Sequence, residues 1–194
     1  MKPLFTIHAG EYLVGLQIPK DPSLKSLRPN LWIPAKDTGI DLLVTDGPNL
    51  HAVSLQVKYG KDFLPEEKKS DLRRSLRCRS WFTLNRKKLQ ESRAQFWVFV
   101  LRGFESAPDF VVIPKEELQR RMRKIPTSGR GILQIYLCST KEKPRRCWEM
   151  RGLPRETERQ IAEGTYNDDP PNTRDFTKYL NENGWAAVAS RLKG

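Results

Sequence analysis

Residues 40–58 carry apolar side chains in two short alternating runs, Ile40 to Thr45 and Val53 to Val57, on either side of a turn-rich segment. Alternation of this kind fits two half-buried β-strands. Folding them as a hairpin with a four-residue loop, Gly47 to Leu50, puts Asp46 against His51. Val44 then opposes Val53, Leu42 opposes Leu55, and Ile40 falls opposite Val57. Those six apolar side chains share one face, because alternate residues of a strand point the same way. The other face receives Asp41 opposite Gln56, with Lys58 two residues further on. A slip of one residue would turn the apolar set outward, so the hydrophobic pattern fixes this register.

Around the hairpin, residues 6–18 read as a helix in which Ala9, Tyr12, Leu13 and Leu16 form an apolar stripe, closed by Pro19. Val14 and Ile18 make a second stripe, so this helix is expected to be covered on more than one side; Glu11 falls on that second side, where a plain surface position stays open. A proline-rich connector (Pro19, Pro22, Pro29, Pro34) leads to the hairpin. Residues 66–93 are strongly basic and read as a loop with one or two short helices. Strands follow at 95–102 and 109–114, then a helix from Pro114 through Ile125, and a strand at 131–139. Beyond residue 140 the composition turns polar, with helices expected near 155–163 and 173–192. This order predicts an α/β protein: a mixed sheet flanked by helices over residues 1–140, with a C-terminal helical extension, 141–194, packed on it.

Composition narrows the partners more than the fold. The chain has 194 residues, 38% of them hydrophobic and 30% charged, enough for one domain with a real core. Lys and Arg number 35 against 23 acids, a net charge of +12 that favours a polyanion such as nucleic acid. Three widely spaced cysteines, Cys78, Cys138 and Cys147, fit neither a disulfide framework nor a zinc ribbon and point to a reducing compartment. The N-terminus lacks the pattern of a signal peptide and no run is long enough to span a membrane, so a cytoplasmic location is expected.

The three polar residues of the hairpin carry the chemistry. A carboxylate and an amide oxygen are hard ligands for a magnesium-type cation, and a nearby lysine adds a movable positive charge. Such a set suits phosphodiester hydrolysis. Lys36 and Asp37 read as loop residues, and His8 and His51 have no partner at ligand spacing. "GIDLLV" followed by "SLQVK" resembles the core of the PD-(D/E)XK nucleases in their QxK form, as in Mrr-like and type I restriction subunits. "GEYLV" on the first helix resembles the acidic helix of Holliday junction resolvase-like members. The resemblance spans roughly residues 1–140 and implies a restriction-endonuclease-like fold. It implies Asp41, Gln56 and Glu11 as ligands of Mg2+, with Mn2+ able to substitute, and Lys58 as the catalytic lysine. The sequence departs from the family pattern twice: Gly39-Ile40 precedes the Asp, and Gln56 stands where an acid is usual, which removes a negative charge.

The function expected is Mg2+-dependent cleavage of DNA, in restriction and defence or in repair. Two alternatives stand beside it: a non-catalytic nucleic-acid-binding module on a degenerate nuclease fold, and a Holliday junction resolvase. A homodimer would provide two active sites for cutting both strands. Arg73, Arg74, Arg77 and Arg79 are candidate phosphate contacts in the basic segment. Trp81 and Phe82 read evenly as base-stacking or as core, while Trp97, Phe99, Phe110 and Trp148 read as core.

Overall fold

The computed structural model describes residues 9–35, 39–61, 75–102, 107–125, 131–167 and 173–194. The described part begins with helix α1 (Ala9–Gln17), a single 3-10 turn (Ile18–Lys20) and the short helix α2 (Pro22–Lys25), capped by the Asp21 side chain. Strands β1 (Asn30–Trp32), β2 (Leu42–Thr45), β3 (Ala52–Lys61) and β4 (Leu76–Asn85) follow, then helix α3 (Arg86–Glu91). Next come β5 (Phe96–Arg102), β6 (Asp109–Pro114), α4 (Lys115–Lys124), β7 (Ile132–Thr140) and β8 (Cys147–Glu149). Helix α5 (Arg155–Glu163), a 3-10 turn (Thr177–Tyr179) and α6 (Glu182–Leu192) close the chain.

The architecture is mixed α/β, as expected, but it is built on two sheets. A five-stranded sheet runs in the order β1-β2-β3-β5-β6, and β4, β7 and β8 form a separate three-stranded sheet. In the larger sheet β3 and β5 are parallel and every other pairing is antiparallel. A parallel pair needs a long crossover, and here β4 and α3 lie within it.

Each face of the larger sheet has its own core. Leu42, Val44, Val53, Leu55 and Val57 share one apolar cluster with Phe96, Val98 and Val100, covered by Val14 of α1, Ile18 of the 3-10 turn after it, and Trp185, Val188 and Leu192 of α6. Trp97, Phe99 and Leu101 point to the opposite face, against Phe82 and Leu84 of β4, Ile135 and Leu137 of β7, and Leu118 and Met122 of α4. The segment 141–194, expected as an extension, supplies α6 to the first core and β8 to the second sheet. Among the described residues no helix is long and apolar enough to cross a membrane.

Three sequence expectations are corrected here. On α1 the buried stripe is Gly10, Glu11 and Val14, continued by Ile18 in the 3-10 turn, while Tyr12 is 59% exposed and Leu16 41%. The cause lies at Gly10, where a Cβ would come within 3.0 Å of the Tyr59 Cβ and 3.1 Å of a Val57 methyl. Without a side chain there, the helix seats directly on β3 and the Val14/Ile18 stripe goes down. Within the basic segment, residues 76–85 are a strand, with Leu76, Cys78, Ser80, Phe82 and Leu84 buried in alternation and Trp81, Thr83 and Asn85 exposed. The expected helix over 173–192 is a 3-10 turn followed by α6, separated at Asn181, whose φ is +49°. The same turn covers the edge of β6, with the Asn181 amide donating to the Phe110 carbonyl at 2.7 Å. Covering an edge in this way removes a site for unwanted strand pairing. Strands β1 and β8 and the short α2 were not anticipated.

Candidate active site

The hairpin takes the register its sequence predicts: Leu42 pairs with Leu55 and Val44 with Val53, around a turn at Gly47–Leu50. Asp46 fastens the loop, its carboxylate accepting the Leu50 amide at 2.8 Å and the His51 amide at 3.0 Å. At the other end the ladder stops at Asp41, whose amide donates to the Leu55 carbonyl at 2.9 Å. Ile40 does not extend the ladder to Val57, because Gly39 turns the chain at a φ of +77°. The Val57 amide is instead taken by the Asp41 side chain, donating to Oδ2 at 2.7 Å.

Gln56 Nε2 donates to the same Oδ2. Two donors on one oxygen fix the carboxylate, and the bond from its nitrogen fixes the amide plane of Gln56. Asp41 Oδ1 and Gln56 Oε1 are therefore the remaining oxygens of the pair, and they are the kind of ligand a hard divalent cation takes. A glutamate at position 56 would set two carboxylates against one another, whereas Gln56 makes the pair stable by itself.

Lys58 lies on the same face of β3. Its Nζ stands 5.8 Å from the centre of the Trp97 ring, within cation–π range, and Trp97 also lines the site. Together Asp41, Gln56 and Lys58 line a cleft of about 1020 Å³. Glu11 lines it too, and is nine-tenths buried, so the position left open as plain surface is interior. Seating of α1 through Gly10 is what brings Glu11 there, since the helix could not otherwise lie so close to Val57 and Tyr59. Among the described residues Glu91 is the remaining acid lining the cleft, and no three His, Cys, Asp or Glu side chains group as metal ligands.

The far wall of the cleft escaped the sequence reading. Thr83, Leu84 and Asn85 of β4 and Lys88 and Glu91 of α3 also line it. Asn85 begins α3, its Oδ1 accepting the Lys88 amide at 2.9 Å. Asparagine is a favoured cap of this kind, so the signal was present but hidden in a run read by charge. Below these residues β4 packs on β3 at Gly60, where a Cβ would lie 2.7 Å from the Phe82 ring.

Of the proposed phosphate contacts, Arg73 and Arg74 lie outside the described residues. Arg77 and Arg79 are committed elsewhere. Arg77 Nε is 3.0 Å from Asp109 Oδ2, an ion pair without an aligned hydrogen bond, and Asp109 is 1% exposed. Arg145, Ser139 and Asn181 also hold that carboxylate, each within 3.0 Å. Arg79 pairs with Glu158 at 3.4 Å and stacks on Tyr136 at 4.5 Å. Arg121 and Arg174 are likewise spent on buried or half-buried acids, Glu117 and Glu149. The count of 35 Lys and Arg therefore overstates the cations open to a ligand. Replacing Arg77 by alanine should cost about 2 kcal/mol in urea denaturation, since Asp109 keeps its other three partners. It should leave the salt dependence of DNA binding unchanged, where a lost phosphate contact would lower the slope by about 0.9.

The three cysteines are free and buried, and burial pushes the Cys138 and Cys147 thiols well above their ordinary range, so neither is a nucleophile. Trp97, Phe99, Phe110 and Trp148 are core, as expected. The pair read evenly divides: Phe82 is core and Trp81, on the other side of the strand, is 37% exposed. Compared with family models, with curated proteins and with solved structures, the chain matches none.

Proposed function

We propose that this protein is a metal-dependent endodeoxyribonuclease with a restriction-endonuclease-like core of the PD-(D/E)XK type. The observation that carries the reading is the meeting of Asp41, Gln56, Lys58 and Glu11 in one cleft, with Asp41 and Gln56 locked side by side. Asp41 Oδ1 and Gln56 Oε1, with Glu11, would hold Mg2+ or Mn2+. When bound, the ion supplies positive charge for the scissile phosphate and acidifies water. The chain's own contribution is positional. Asp41 is held by the Val57 amide and Gln56, so its free oxygen is aimed before any ligand arrives. Lys58 places an ammonium on the same face, where it orients the attacking water and stabilises charge gathering on phosphate oxygens. Lys88, across the cleft, meets the phosphate backbone from the other wall. A pair of copies related by a two-fold axis would cut both strands.

Supercoiled plasmid incubated with Mg2+ or Mn2+ should be nicked and linearised, and EDTA should stop the reaction. A protein that binds DNA but leaves plasmid, linear duplex and four-way junction intact with both ions would overturn the nuclease reading. That result would favour the binding module, for which the self-satisfied Asp41–Gln56 bond is the specific support. Preference for the junction would make the enzyme a resolvase. Gln56→Glu tests the pair directly: it restores a charge that only a cation can offset, so Mn2+ affinity should rise about tenfold. Calorimetric titration of both proteins gives the ratio.

A further inference from the structure

We propose that the exposed end of β4 is a stacking platform for an unpaired nucleobase, so that the DNA held in the cleft carries a single-stranded segment beside the cut. The inference rests on the nuclease reading and adds the class of substrate. Trp81, Thr83 and Asn85 project from the outer face of β4, and Thr83 and Asn85 also line the cleft. Two residues along a strand span about 6.8 Å, so Trp81 stands about two stacked nucleotides, at 3.4 Å each, from the cleft wall.

Pairing within the smaller sheet sets the neighbours: Tyr136 opposite Trp81, Gln134 opposite Thr83 and Ile132 opposite Asn85. Trp81 leans on Tyr136 with ring centres 5.1 Å apart and planes tilted by 48°, and it remains 37% exposed. Ile132 is 49% exposed and broadens the same surface. On the Arg79 side the platform ends where Arg79 meets Glu158 of α5.

Charge decides between a duplex and a loose strand. Among the described residues of this surface, Trp81, Thr83, Asn85, Gln134 and Ile132 are uncharged, whereas a duplex is gripped chiefly through cations on its phosphates. An aromatic face with hydroxyl and amide neighbours is instead what an unstacked base needs, and stacking tolerates any sequence. The phosphate contact comes from Lys88, in the cleft. The result is a path on which backbone charge is met inside the cleft and a base is met outside it.

The test is binding in EDTA, where nothing is cut, of a forked DNA duplex and a blunt duplex of equal length. The fork carries 2-aminopurine in its single-stranded arm. Wild type should prefer the fork and quench the probe. Trp81→Leu keeps bulk against Tyr136 but has no π-face, and its preference for the fork should fall roughly tenfold with the quenching lost. Trp81→Phe should retain most of both. Equal fork-to-blunt ratios for wild type and Trp81→Leu would overturn the platform. Plasmid cleavage with Mg2+ is scored separately: a platform that stands without cleavage removes the nuclease reading alone, and cleavage with unchanged ratios removes the platform alone.

Discussion

Lys58→Ala should lower single-turnover cleavage by about 10²–10³-fold, the loss seen when one preorganised charge-stabilising donor is removed. The ammonium shares a face of β3 with Gln56 and lies over Trp97, so its position is set by strand register and by the indole beneath it. Truncation also uncovers part of that indole. Lys58→Met separates the two effects, since it keeps the stem over Trp97 and removes only the charge. Both variants should bind DNA in EDTA within a few-fold of wild type, because a single contact contributes little of a polyelectrolyte affinity. Lys58→Arg should recover part of the rate, as a cation with different reach. A Lys58→Met protein that cuts at the wild-type rate would remove Lys58 from the chemistry.

Strand register was legible in the sequence because Leu42, Val44, Val53, Leu55 and Val57 must all face one core, and that constraint is local to a single hairpin. Asp41 and Gln56 came with it at no extra inference. Glu11 was half legible. The helix carries two apolar stripes of similar quality, and periodicity alone does not say which is buried; Gly10 decides it through contact with Tyr59, a residue far along the chain. Strand β4 was missed for a different reason. Its outward positions hold Arg77 and Arg79, so the segment reads as a charged face, and the acids that neutralise them, Asp109 and Glu158, come from β6 and α5. With β4 went the second sheet, and with the second sheet went Thr83, Asn85 and Lys88 as the facing wall of the cleft. What stayed hidden was the pairing of elements distant in sequence, which residue patterns do not encode one segment at a time.

Asp41→Asn should abolish metal binding while leaving the fold in place, and the geometry states why. Oδ2 accepts from both the Val57 amide and Gln56 Nε2. An asparagine has one acceptor oxygen, and two donors pin it to that position. Its NH2 group must then occupy the place of Oδ1, where it presents hydrogens instead of a lone pair to any cation. The variant therefore loses a charge and replaces a ligand with a repulsive group. Mn2+ affinity should fall by more than about a hundredfold, beyond the 10–100-fold typical of losing an outer partner of a ligand. Both hydrogen bonds survive, so the stability should stay within about 1 kcal/mol of wild type. Asp41→Ala makes the contrast: it strands the Val57 amide and should destabilise the hairpin by about 1–3 kcal/mol. Calorimetric titration with Mn2+, beside urea denaturation of all three proteins, reads both quantities. Equal Mn2+ binding by wild type and Asp41→Asn would place the metal away from the hairpin and leave Asp41 as the group that ends a β-ladder.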